Sequence, residues 1–453
     1  MRSDTLCWRT STPTENLMPE TSHARSKLVF VDGPGGPPLD WYLPRLCNRY
    51  DVAILWAPTG DESADAAKHQ AFTSWGCPTW TFQQGQDLIR LIKDVALSEH
   101  ADGILSFSEL WVIDTHKAAS DLGLAANPLS SIPAMRDKYL QRRRLTEAGV
   151  PTPRFALVHN AAQLNDAYEH VGDPAIFKPV TGAGSLATYA VDSGTDLQKL
   201  WQTAHAAHEN DRRGGKTAAF ILEERLIGVN KHQDERYGDY ASVESVVHNG
   251  QITHLAVTDK FPLTEPFREN GGILPSVLPT ADVDELYSAA SAAINALGLT
   301  HCALHTEFKL TETGPVIIEV NCRIGGGVTE QLYYAAAYDV VEALAEVALG
   351  NTPPGIRQFK AASAIMLPQI PPRNLTLAQV PDLDDLVALP GVVTAKTIYA
   401  QGDRPRWVEG TSAGMLARIV AAAPEASTLL ETFDYLMSDK CFTYTESFGS
   451  NEQ

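Results

Sequence analysis

Residues 304–327, LHTEFKLTETGPVIIEVNCRIGGG, place one glutamate in each of two otherwise apolar, strand-like runs, Glu307 and Glu319. Thr-Glu-Thr-Gly between them is a turn signal, and a three-residue loop over 312–314 with Gly314 left-handed would pair Thr311 with Pro315. Counting back from that pair sets Glu307 opposite Glu319 and His305 opposite Asn321, all on one face. Facing carboxylates repel unless a cation neutralises them. Two carboxylates and an amide oxygen are hard donors of the kind that hold Mg²⁺ or Mn²⁺ beside nucleotide phosphates. The bland reading of the same residues is a solvated strand face. Zinc fits less well, because His301 and His305 are four apart in a strand-like segment without the H-E-x-x-H order. Beyond Asn321 comes Arg323, whose planar fork suits a phosphate or a carboxylate, then Gly325, Gly326 and Gly327, which keep side chains clear of a substrate.

A second group of residues points to the same chemistry. Lys178 stands inside the apolar run AIFKPV and is followed at once by TGAGS, with Gly182, Gly184 and Ser185. An ammonium beside loop N–H groups can hold nucleotide phosphates, whereas the plainer role of these glycines is to shape a turn. Lys138 lies in a helix-like stretch with Arg136, Arg142, Arg143 and Arg144, where a lysine is by default a solvated charge. Two tempting motifs fail. GGKT at 214–217 ends like a phosphate loop but has Asn210 where the first glycine is required, and VDGPGGPP has prolines where a dinucleotide-binding helix would start.

The elements that must position these groups follow from the pattern. From Lys27, short apolar runs (KLVFVDG, DVAILWA, ADGILSF) alternate with helix-length segments, the signature of βαβ units. A helix is expected from about Ser131 and Pro133 to Gly149, a strand over LATYAV, a tight hairpin at Asn249-Gly250, a helix closing at Gly298, and an alanine-rich helix ending at Gly350. The expected division is a loose tail 1–26, an N-terminal α/β domain 27–132, a central domain 133–350 and a C-terminal α+β domain 351–453. With 453 residues, 36 Lys and Arg against 55 Asp and Glu, and a formal charge of −19, the chain repels phosphate backbones and anionic lipid, so nucleic acid is not an expected partner. No run approaches the roughly 20 apolar residues that span a bilayer, so no membrane association is expected either. Six scattered cysteines without a C-x-x-C pair indicate a reducing, cytoplasmic setting.

Taken in order, these segments resemble an ATP-grasp ligase over about residues 100–350. RDKYLQRRRLTEAGVPTPRF resembles the entry helix, FKPVTGAGS the second lysine and glycine lid, LEERL the adenine hinge, and HTEFKLTETGPVIIEVNCRIGGG the metal strands. The resemblance implies an ATP-grasp fold: a Rossmann-like parallel-sheet (preATP-grasp) domain, the nucleotide domain and a C-terminal α+β domain. The branch resembled is that of carboxylate–amine ligases, including L-amino-acid ligases that make dipeptides through an acyl phosphate with release of ADP and phosphate. It implies ATP and Mg²⁺ (or Mn²⁺), small-molecule carboxylate and amine substrates, and is compatible with a homodimer. Lys138, Lys178, Gly182, Gly184 and Ser185 would hold the phosphates. Glu223 and Leu226, with the backbone of Glu224, would hold adenosine, and Glu307, Glu319 and Asn321 the metal. Arg323 would hold the acyl phosphate or tetrahedral intermediate, with Gly326 and Gly327 beside the substrate and His305 a candidate proton acceptor. The glycines imply a roomy pocket for bulky or unusual amino acids, in keeping with a peptide-like natural-product pathway. The sequence departs from the family in an insertion, VNKHQDERYGDYA, and in GDY ending at Tyr240, which casts doubt on a role for Glu244. The alternative within the same fold is a biotin-carboxylase-like or purine-pathway ligase using bicarbonate or a ribotide.

Overall fold

The structure, a computed structural model, describes residues 25–446 except 84, 183, 185–186, 211–218 and 357. β1 (Lys27–Asp32), β2 (Asp51–Trp56), β3 (Thr79–Thr81) and β4 (Gly103–Leu105) form a parallel sheet in the order β3-β2-β1-β4. Five of the six residues of β1 are buried, as expected of a strand covered on both faces. Helices Leu39–Cys47, Glu62–Ser74, Leu88–Ser98 and Val112–Asp121 connect these strands and follow the last of them.

β5 (Phe155–Val158), β6 (Ala175–Pro179), β7 (Tyr189–Val191) and β8 (Phe220–Glu224) make a second sheet, antiparallel, in the order β5-β8-β6-β7. Leu164, Val171, Leu200 and Ala204 from its two helices bury its outer face against Phe177 and Phe220. The strand expected over LATYAV is confined to its last three residues. The helix expected from Pro133 divides into a 3₁₀ turn, Ile132–Met135, and an α-helix, Lys138–Glu147. Arg136 is non-helical at φ −132°, and the carboxylate of Asp137 caps the new start by accepting from the N–H of Leu140. Lys138 therefore begins a helix rather than riding mid-face.

The third sheet contains β9 (Tyr240–His248), β10 (Gln251–Lys260), β11 (Gly271–Leu274), β12 (Cys302–Thr311), β13 (Gly314–Asn321), β14 (Ala362–Met366), and, after β15 (Leu375–Gln379), β16 (Val392–Thr397) and β17 (Ala417–Ala423). Its order is β13-β12-β9-β10-β11-β14-β17-β16, while β15 pairs separately with β18 (Thr443–Glu446). Position 350 lies just beyond the helix Val340–Ala348, yet the sheet runs on past it through β14, β17 and β16. The β9–β10 turn has Asn249 at φ 48° and Gly250 at φ 75°, the left-handed pair that a two-residue hairpin requires.

The β12–β13 hairpin differs from expectation at its turn and agrees at its far end. Thr311 pairs with Gly314, not with Pro315, so the register near the turn is shifted by one residue. A bulge between Glu307 and Phe308 on β12, which leaves Ile318 as the extra residue of β13, cancels the shift and restores Glu307 opposite Glu319 and His305 opposite Asn321. Among the described residues, no helix is long and apolar enough to cross a membrane.

Candidate functional site

A cavity of about 970 Å³ lies between the β5–β8 sheet and the β9–β13 end of the large sheet, with Lys178, Glu223, Glu307 and Glu319 in its walls. Lys138 opens its helix with its N–H on the carbonyl of Val180 (3.1 Å). Its Nζ donates to the carbonyl of Gly182 (3.0 Å) and pairs with Glu319 Oε1 at 2.8 Å. Burial disfavours this charge, but Glu319 and Glu109 outweigh it and raise the lysine above its ordinary value. From the adjacent sheet, Lys178 Nζ lies 2.7 Å from Glu223 Oε2.

Glu223 is shared. Arg142 donates Nε and Nη2 to its two oxygens (2.7 and 3.2 Å) and Nη1 to the carbonyl of Ile317 (3.1 Å), on the bulged stretch of β13. Burial would raise the Glu223 carboxyl; Arg142 and Lys178 reverse this and bring it to about 2. Its side chain is therefore committed to two cations, and the N–H of Glu224 is taken by the carbonyl of Arg154 (2.9 Å). The Glu223 side chain thus holds Lys178 and Arg142 in place at the cavity wall. Leu226 does line the cavity.

Glu307 and Glu319 project into the cavity from opposed positions. Glu307 Oε1 is 3.1 Å from His305 Nε2 and 4.0 Å from Lys260 Nζ. Burial raises this carboxyl, but the His305 hydrogen bond and Lys260 bring it to about 2. His305 Nδ1 lies 2.8 and 2.9 Å from the two oxygens of Glu244, a fully buried carboxylate that also accepts from Ser242 (2.8 Å). Burial lowers the imidazole and Glu244 more than compensates, so its pKa is raised. Glu244 is thus in contact with the site after all, through His305. Asn321 lies across from His305, buried.

Arg323 Nε is 3.1 Å from Glu109 Oε2, which follows β4 in the N-terminal domain, and Nη1 donates to the carbonyl of Ile324 (3.1 Å). Two of the three glycines do not clear the roomy pocket expected of them. A Cβ on Gly325 would meet His305 Nδ1 at 2.5 Å, and one on Gly327, at φ +81°, would meet Ile365 at 2.8 Å. Neighbouring side chains occupy the space these glycines clear; Gly326 alone of the three is open. Gly182 and Gly184 line the cavity, while Ser185, like the 214–217 segment, lies outside the described residues.

Sequence reasoning passed over Arg142, Glu109, Lys260 and Glu269. Arg142 had a signal, since it is four residues after Lys138 and so on the same helix face. Glu109 had none, because it reaches the site from a loop 214 residues away from Arg323 in sequence.

The donor set suits a hard cation. Among the described residues, no group of three or more His, Cys, Asp or Glu is arranged to hold a metal alone. Two ionised carboxylates with an amide oxygen fit an ion whose remaining positions are filled by phosphate and water.

Comparison with known proteins finds related sequences and structures. A model of the ATP-grasp domain matches residues 171–331. Alanine–anticapsin ligase of Bacillus subtilis (strain 168) is 29% identical over 287 residues, covering 62% of this chain and 60% of that protein. An L-arginine-specific L-amino acid ligase of Bacillus subtilis is 23% identical over 316 residues, 67% of this chain and 70% of that one. The match spans about 60% of the length of the alanine–anticapsin ligase. The crystal structure of an L-amino acid ligase from Bacillus licheniformis shares the fold, with a TM-score of 0.74 at 19% identity, covering 94% of this chain and 100% of that chain. A biotin carboxylase from Campylobacter jejuni, solved with an ATP analogue, gives a TM-score of 0.63 at 14% identity over 90% of this chain and 94% of that chain.

Proposed function

We propose that this chain, which carries an ATP-grasp domain and is homologous to L-amino-acid ligases, joins the carboxylate of one amino acid to the amine of another at the expense of ATP. The observation that carries the reading is the convergence on one cavity of Lys138 and Lys178 with the opposed Glu307 and Glu319. Lysines from a helix start and a strand fit a triphosphate, and carboxylates facing them fit its counter-ion.

Lys138 and Lys178 would bind the phosphates, and Glu307, Glu319 and Asn321 would hold Mg²⁺, which supplies charge neutralisation between phosphate oxygens. Arg323 and Glu109 carry opposite charges 3.1 Å apart, and a zwitterionic amino acid can exchange with both. A carboxylate oxygen of that substrate attacks the γ-phosphorus, the bond to the ADP oxygen breaks, and an acyl phosphate forms. The amine of the second substrate then attacks the acyl carbon and phosphate leaves. Arg323 stabilises negative charge on the acyl group, and Gly182 and Gly184 at the cavity wall help to screen the intermediate from water.

Bicarbonate and ribotide ligases share this fold, but nothing in the Arg323–Glu109 pair is suited to a ribotide phosphate, because Glu109 repels it. The test is a screen of amino-acid pairs with ATP and Mg²⁺, reading phosphate release and product mass. A pair that releases phosphate and yields the condensed mass supports the reading. Absence of any pair above the single-substrate background, or turnover with bicarbonate instead, overturns it.

A further inference from the structure

Acidic side chains in the cavity are, with few exceptions, already matched to a cation. Glu223 binds Arg142 and Lys178, Glu224 binds Arg154 at 3.1 Å, Asp239 binds Lys309 at 2.5 Å, Glu319 binds Lys138 at 2.8 Å, and Glu307 lies 3.1 Å from His305. Glu235 and Glu265 are exposed to solvent. Glu269 is different: it is half-buried in the cavity wall, and its nearest cation, Lys260, stands 3.7 Å away.

The backbone that carries Glu269 is held on all sides. Its N–H donates to Thr411 Oγ1 (3.1 Å) and its carbonyl accepts from Gln369 Nε2 (3.0 Å). The flanking Arg268, fully buried, donates twice to the carbonyl of Glu265 (2.9 and 2.7 Å), and Asn270 donates to that of Pro262 (2.6 Å). A carboxylate on so fixed a frame is preorganised rather than incidental. A second observation marks the same place. The Tyr240 hydroxyl, in the cavity wall, is buried at 4% exposure and has no hydrogen-bond partner among the described residues. Burial first, and then the charges of Glu269, Glu307 and Asp239, push this phenol well above its ordinary value, so it stays a donor among acids. A carboxylate held only by the long 3.7 Å pair to Lys260 and a neutral hydroxyl whose lone pairs are unused, beside Glu307, together describe a seat for a small polar group of positive charge.

We infer that Glu269 receives the amine substrate as its ammonium ion and accepts a proton from it as the amide bond forms, an assignment that rests on the ligase reading above. The ammonium gives one proton to the Glu269 carboxylate, and the freed lone pair attacks the acyl carbon. The C–N bond forms, the C–O bond to phosphate breaks, and the second proton leaves with the phosphate oxygen. Glu269 then returns its proton to water, and no electron is gained or lost. The Tyr240 hydroxyl orients the substrate in the same seat.

Hydroxylamine separates the two readings, because it is largely unprotonated near neutral pH and intercepts acyl phosphates as hydroxamates. The expected result is that Glu269→Gln, with its thermal unfolding unchanged, loses about 10²–10⁴-fold in amide formation with amino acids and is rescued when hydroxylamine is the nucleophile. Glu269→Asp, which retains the carboxylate with a shorter reach, falls between the two. Amide formation by Glu269→Gln within about threefold of the parent, far short of a general base's contribution, overturns the assignment. So does an equal loss with hydroxylamine, which places Glu269 in an earlier step. If the parent protein itself forms no hydroxamate, the acyl-phosphate reading is what fails, and this assignment falls with it.

Discussion

Glu223 was legible in the sequence as a hinge acid through its family resemblance, but not its ion pairs, because the two cations that claim it come from a helix and a strand outside its own segment. Its carboxyl sits at about 2 in the folded chain against 4.5 ordinarily, so its contribution is full above pH 4.5 and is lost as pH falls toward 2. The shift corresponds to stability on the order of 3 kcal/mol at neutral pH. Urea unfolding at pH 7 and pH 3 should therefore show a steeper acid loss for the parent than for Glu223→Gln. Equal losses would mean that Arg142 and Lys178 do not stabilise the charge. Lys138, Lys178, Glu307 and Glu319, which the structure brings to one cavity, share one property. Each is a charge set at a helix start or inside an apolar run, so the sequence alone makes it anomalous. Glu109 and Glu269 sit in loops where a charge is ordinary.

Between elements, the hairpin shows how a correct conclusion can be reached through an incorrect turn. Counting assumed regular alternation from a turn one residue too long, and the extra residue at Ile318 made up the difference. A bulge has no reliable signature in a single strand, since it depends on what takes the freed carbonyls. Here the Ile317 carbonyl goes to Arg142, which lies on a different element altogether. Arg142→Met removes that support together with one of the two cations on Glu223. It should cost about 3–5 kcal/mol, the range for breaking a buried pair. It should also weaken nucleotide binding, because Glu223, the partner of Lys178, loses the guanidinium that fixes it. Calorimetry of unfolding and of ATP binding checks both; a variant that unfolds like the parent would show that the bulge holds without the guanidinium.

At the scale of the whole molecule, the expected boundary at 350 between a nucleotide domain and a C-terminal segment cuts through the large sheet, which continues across it. β11, which ends the 133–350 segment's share of the sheet, pairs with β14 along all four of its residues. Ending the chain at Gly350 would strip that edge and remove the β14 and β17 residues from their apolar cluster. Such a truncated chain is expected to aggregate or to unfold without cooperativity; a soluble fragment with a sharp thermal transition would show the division to be real. Sheet continuity of this kind is invisible to a linear reading, because three helices and the β12–β13 hairpin separate β11 from β14. The Lys138–Glu319 pair also has a consequence at this scale. Each is the other's counter-charge, so a triphosphate that draws the lysine away releases the carboxylate for a divalent ion, and the ion by the same exchange releases the lysine. Two ligands that free one another's seat bind with reciprocal heterotropic coupling. ATP titrated with and without Mg²⁺ should show that coupling in the parent protein, and Lys138→Met should largely abolish it.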